Sequence, residues 1–132
     1  ALIEEPFTDM TDAFSQSLNA EVINAAAKAG INPRLGVFQG TPGPQFDTPA
    51  EAEAARRNGA DMLGNGVILE TVAAALMGCR VTALILVAEA ASSYHGRRLR
   101  HADIVDAAQF CSPTIMRALH SMFLESEVPE ER

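Results

Sequence analysis

Three short stretches of this 132-residue chain carry side chains whose types and spacing could do chemistry. In GTPGPQFDTPAE, residues 40–51, Phe46 and Asp47 stand side by side behind a run of glycines and prolines. A phenylalanine face can stack on a flat ring, and a neighbouring carboxylate can accept hydrogen bonds from ring N–H groups. Gly40 and Gly43 would let the backbone approach a ligand closely, while Pro42 and Pro44 stiffen the loop. A second reading makes Phe46 a core residue and Asp47 an extra helix cap. The second stretch is Ala88–Glu89, which closes an apolar run and puts a carboxylate where it is costly without a partner. The third is His101, which opens the last helical segment although serine or aspartate would cap it better. It is either a working histidine or a solvated surface one. Beside it, Arg97, Arg98 and Arg100 form a basic run, read as a solvated loop or as a contact for a phosphate or an acidic subunit neighbour.

Other chemistries have no signature here. There is no Walker loop, no G-x-G-x-x-G and no GxSxG, and the adjacency of Ser92, Ser93, Tyr94 and His95 does not make a triad. Cys79 and Cys111 lack metal-ligand spacing and form no CxxC pair, so both are expected to be buried thiols in a reducing cytoplasm. The net charge of −7 disfavours nucleic acid or an anionic membrane as the main partner. Neither a signal peptide nor an apolar run of about 18 residues is evident, so a soluble intracellular protein is expected.

The elements that must position these residues follow from periodicity. Phe14, Leu18, Val22 and Ala26 recur every fourth residue within 12–29, ahead of Gly30, which predicts an amphipathic helix. RLGVFQ, residues 34–39, reads as a buried strand feeding the glycine–proline loop. Thr48, Pro49 and Glu51 supply the N-cap, first-turn proline and third-position acid of a helix ending near Asn58 and Gly59. Residues 60–63 form a brief strand candidate, followed by an Asn65–Gly66 turn and an almost wholly apolar helix over 67–77. RVTALILVA, residues 80–88, is the strongest strand, apolar enough to lie buried on both faces of a parallel sheet. After a loop over 92–100, a last helical region spans 102–124, which Pro113 should kink or restart, and the tail EVPEER should fray. The alternation predicts an α/β fold of one domain over 1–132, a mostly parallel sheet flanked by helices around one aliphatic core. Ligands of such sheets collect at the carboxyl ends of the strands, where all three stretches fall.

These residues resemble the trimeric purine nucleoside phosphorylases and their methylthioadenosine-cleaving relatives. GPQFDTPAE is similar to the family's purine-site loop GPxFETPAE; GADMLG (59–64) matches GADxVG, HADIV (101–105) resembles an SHAEV-like helix start, and FTDMTDAF (7–14) is similar to the segment preceding a family helix. The resemblance covers nearly the whole chain but only the C-terminal half of a family enzyme. It implies phosphorolysis of purine nucleosides to free base and ribose 1-phosphate through an oxocarbenium-like transition state. It also implies a cytoplasmic homo-oligomer, a trimer as in the family, that takes inorganic phosphate as co-substrate and needs neither cofactor nor metal. Catalytic roles would fall to Glu89 and His101, the latter approaching the sugar 5′-hydroxyl. Substrate contacts would come from Phe46, Asp47, Asn65, Ala88, Ile104 and, across a subunit boundary, Phe7.

The sequence also departs from the family pattern. NGVILE (65–70) stands where the family has MSTVPE, so Gly66 replaces the phosphate-binding serine and Asn65 the methionine near the ribose. Ala88–Glu89 stands where the family strand ends in Thr-Asn; an ionised glutamate cannot donate to purine N7, and it fits a 6-aminopurine instead. With the phosphate-holding N-terminal half of the family absent, the expectation is a chain inactive alone. The alternative is a non-catalytic remnant that keeps a base pocket or an oligomer interface. An exposed sheet edge and apolar face should make it self-associate.

Overall fold

The computed structural model describes residues 7–90 and 100–126, with side chains as far as Phe123. The loop residues Ser92, Ser93, Tyr94, His95, Arg97 and Arg98 and the tail EVPEER lie outside the described residues. Helix α1 (Gln16–Lys28) is followed by β1 (Phe38–Thr41), α2 (Pro49–Arg57), β2 (Met62–Asn65), α3 (Ile68–Leu76) and α4 (His101–Ser126). The expected α/β class holds: β1 and β2 pair in parallel, Phe38 opposite Met62 through Thr41 opposite Asn65, with α2 as the crossover between them.

Local chemistry explains the element ends. The Ser15 hydroxyl accepts from Leu18 N at 3.3 Å and caps α1 three residues inside the expected start. Phe14 is left outside that helix, where it bridges in parallel to Val81, and Ser15 N donates to the Val81 carbonyl at 2.7 Å. At α2 the capping box is complete. Thr48 Oγ1 accepts from Glu51 N at 3.3 Å, and Glu51 Oε2 accepts from Thr48 N at 2.7 Å. These bonds hold the Glu51 carboxyl below the usual carboxylate range, the backbone bond from Thr48 first and its hydroxyl second. The helix stops at Asn58, and Gly59 takes the left-handed turn at φ +90°. Pro113 does not restart α4. It withholds one amide donor, but the helix runs unbroken through it and packs against α1.

Several expectations are corrected. Both strands begin later than 34 and 60, and Asn65 closes β2, with the expected turn falling one residue on at Gly66. The bonds from Asp61 N and Met62 N to the Val37 carbonyl start the pairing there. The run 80–88 is not a strand. It is tied to the start of α1 by the Val81 bridge and by Thr82 Oγ1 donating to Asn19 Oδ1 at 2.6 Å, but beyond Val81 it joins no ladder among the described residues. Its residues line cavities of about 390 and 530 Å³ together with residues of β1 and β2, and among the described residues no strand pairs with it there. Nor is it buried on both faces, since Val87 is 58% exposed.

The core is also thinner than the composition suggests. Among the described residues the buried apolar ones are Val22, Ala25, Ala26, Ala52, Ala55 and Ala118, all small, and no large side chain is fully buried. Helix α3 buries Thr71 but exposes Leu69 (81%) and, at its C-cap, Met77 (77%), so it is covered on one side only among the described residues. Cys79 is exposed and Cys111 half-buried, not the pair of buried thiols expected; Cys79 follows the Gly78 turn that ends α3, where the chain is at the surface.

Candidate functional site

Strand β2 through its carboxyl end, the first residue of β1, the loop after β1, the end of the apolar run and the first turn of α4 converge on one cavity of about 530 Å³. It gathers six of the residues singled out by sequence: Phe46, Asp47, Asn65, Ala88, Glu89 and Ile104. They come from four segments of the chain, which is what a strand-end site in a parallel sheet requires. His101, Gly66 and Phe7 are not part of its lining. His101 is the exposed first residue of α4, and Phe7 is 87% exposed.

The geometry chooses between the two readings of the Phe46–Asp47 pair. Phe46 is 43% exposed at the cavity, so it is no core residue. Asp47 is not the cap of α2, because Thr48 fills that role. The half-buried Asp47 side chain has no hydrogen-bond partner among the described residues, so both its oxygens can accept from a ligand. The loop itself is held at both ends. Downstream the capping box fixes Thr48, and upstream Asn65 Nδ2 donates to Thr41 Oγ1 at 3.2 Å across the last rung of the sheet.

The loop glycines have a different reason from the expected one. Space beside them is filled by the protein's own side chains. Ile68 occupies the place where a Gly40 Cβ would stand, so Gly40 lets α3 pack on β1. Gly43 has φ +66°, and a Cβ there would lie 2.6 Å from Asn65 Nδ2.

Two further carboxylates border the cavity. Asp61 is engaged in structure, accepting from Val37 N at 2.8 Å. Glu89 lines the cavity at the end of the apolar run and is half-buried. Arg100 does not face this cavity. Its guanidinium donates to Asp103 Oδ1 at 2.7 Å, which anchors the first turn of α4 and raises the arginine's pKa, so Ile104 is carried in on a fixed helix start. The cavity thus has an aromatic face, apolar walls and carboxylate acceptors, suited to a flat, neutral, N–H-bearing ring. Among the described residues no cluster of three or more His, Cys, Asp or Glu could hold a metal ion.

Sequence reasoning missed Val67, which also borders the cavity. Its φ of +67° and ψ of −48°, with Ile68 N donating to the Gly66 carbonyl at 2.8 Å, make a γ-turn of the rare strained kind. A β-branched residue gives no sequence signal for that conformation. Thr71 sustains it, donating from Oγ1 to the Val67 carbonyl at 2.7 Å.

Comparison with known proteins fits this geometry. A sequence profile described as "Phosphorylase superfamily" matches residues 2–123, and the chain belongs to that superfamily. It is 36% identical over 118 residues to a purine nucleoside phosphorylase of Mycobacterium tuberculosis, covering 89% of this chain and 42% of that protein. The fold is similar to isoform 2 of the Schistosoma mansoni purine nucleoside phosphorylase, solved with cytosine and ribose 1-phosphate. There the TM-score is 0.79 at 19% identity, over 95% of this chain and 45% of that one. It is equally similar, with a TM-score of 0.79 at 22% identity, to a schistosome purine nucleoside phosphorylase solved with hypoxanthine, over 94% of this chain and 45% of that one. The chain therefore spans less than half the length of these relatives. No helix among the described residues is long and apolar enough to cross a membrane.

Proposed function

We propose that this chain binds a purine base in the strand-end cavity, as the base-holding part of a purine nucleoside phosphorylase site. The single observation that carries the reading is the convergence of Phe46, Asp47, Asn65, Ala88, Glu89 and Ile104 on one cavity. In this reading Phe46 stacks on the base and Asp47 accepts from a ring N–H. As phosphorolysis pulls electrons onto the departing purine, groups fixed around the ring decide how well that charge is tolerated. The described lining contains no basic side chain that could hold phosphate, and Gly66 offers no hydroxyl. We therefore propose that the chain alone binds base without cleaving nucleoside, because aligning the nucleophile supplies much of the rate. In this reading His101 approaches the sugar only in a fuller assembly, a homo-oligomer such as a trimer, in which the exposed Phe7 reaches a neighbouring subunit's site. Two free thiols, Cys79 and Cys111, support a reducing, cytoplasmic setting.

Titration calorimetry with hypoxanthine and adenine tests the binding. Measurable heat with either is expected, with Phe46→Ala weakening it about tenfold through lost stacking. No heat with either base would refute the reading. Phosphate-dependent release of base from inosine or methylthioadenosine by the isolated chain would refute the inactivity.

Glu89 favours a second reading, a base of the 6-amino class. An ionised carboxylate accepts from an exocyclic amine but gives nothing to a 6-oxo group. Glu89→Asn should then shift preference from adenine toward hypoxanthine, and an unchanged preference would discard this reading.

A further inference from the structure

The polar contact between Asn65 and Thr41 assigns Asn65 a task other than touching the substrate. Thr41 and Asn65 are register partners in the last rung of the parallel pair, 24 residues apart in the chain. Asn65 Nδ2 donates to Thr41 Oγ1 at 3.2 Å, which commits one amide hydrogen to the residue from which the purine-site loop departs. Two residues on, Gly43 turns the backbone at φ +66° directly over the same amide. A Cβ at Gly43 would lie 2.6 Å from Nδ2, 2.8 Å from Cγ and 3.3 Å from Cβ of Asn65. The amide is thus wedged between the strand end and the turn of the loop. Asn65 also borders the cavity that Phe46 and Asp47 line, only a few residues past that turn.

We propose that Asn65 is a positioning residue: through Thr41 and Gly43 it fixes the course of the 41–47 loop and so sets where Phe46 and Asp47 stand. A donor held by a hydroxyl and covered by a glycine turn acts on the loop whether or not a ligand is bound. Its effect on ligand affinity rests on the purine-binding reading above, but its effect on the loop does not.

The test separates the two. Asn65→Ala removes the donor, and Thr41→Val removes the acceptor while leaving Asn65 beside the cavity. Backbone order parameters at Gln45, Phe46 and Asp47, measured without ligand, are expected to fall in both variants from about 0.85 toward about 0.6. The double variant should fall no further, since both single changes break one contact. Hypoxanthine or adenine affinity should drop about fivefold in each single variant, the weight of one ordinary hydrogen bond. A loop that loosens in both variants, in a protein that binds no purine, upholds the positioning role and sinks the base-binding reading alone. An unchanged loop in both folded variants overturns the proposal. So does an affinity loss confined to Asn65→Ala, which would mean the amide acts on the ligand directly. Asn65→Gln, which keeps the amide one methylene further out, provides a second folded variant and should restore part of the loop order.

Discussion

Replacing Gly40 with alanine should destabilise the protein through a single clash. Ile68, the first residue of α3, stands where the new methyl must go, and its Cβ and Cδ1 would be 3.1 and 3.3 Å away. The backbone does not contribute, because Gly40 is absent from the residues with positive φ and alanine can adopt its conformation. Nor can Ile68 withdraw freely, since Thr71 ties the start of α3 to the Val67 carbonyl. Overpacking of this kind costs about 1–3 kcal/mol. With a urea m-value of about 2 kcal/mol/M, the midpoint should fall by about 1 M. Ile68→Ala alone removes three half-buried carbons and should cost about 1 kcal/mol. The informative measurement is the double variant. With the obstructing side chain gone, Gly40→Ala should add almost nothing, giving a coupling energy of about 1–3 kcal/mol in urea titrations of the four proteins. A Gly40→Ala protein with the wild-type midpoint, or a double variant that loses the sum of the two singles, would show that Gly40 is not there to admit α3.

Thr48→Ala should cost about 1 kcal/mol by opening the α2 capping box, read as a lower denaturation midpoint; an unchanged midpoint would contradict the cap. Glu53 is held down to about 2 by hydrogen bonds from Arg56 and then Arg57. Its folded value lies below the ordinary one, so its contribution is complete above pH 4.5 and fades as pH falls through about 2. A carboxyl NMR titration that places Glu53 near the ordinary value would refute the pairing. Val67→Gly should leave stability unchanged or raised, because relief of about 1–3 kcal/mol of strain offsets the lost side chain; a clear loss would deny the strained turn. The exposed Leu69, Met77 and Phe110 should drive self-association, seen as a concentration-dependent mass by light scattering. A monomer at high concentration would contradict it.

Much of the fold could be read from local chemistry. TPAE specifies its own cap, and Gly59 its own stop, because those bonds form between residues three or four apart. The run 80–88 could not be read that way. Its continuous apolar character records an affinity for burial, whereas a strand is made by a hydrogen-bonding neighbour, and beyond Val81 no such neighbour stands beside it among the described residues. The thiols failed for a related reason. Residue type favours burial for cysteine, but Cys79 is placed by the end of α3 and the Gly78 turn, which carry it to the surface.

At the site, adjacency was legible and register was not. Phe46 and Asp47 reach the cavity together because they are consecutive, but the contact of Thr41 with Asn65 exists only once β1 and β2 pair in a particular register. The glycines mark the limit most clearly. Open space for a ligand, a left-handed turn and room for a neighbouring side chain all ask for the same residue, so the sequence cannot tell them apart. Substitution can. A glycine kept for ligand approach yields an alanine variant that folds normally and fails to bind. Gly40 and Gly43, pressed against Ile68 and Asn65, must instead lose stability or loop order with no ligand present.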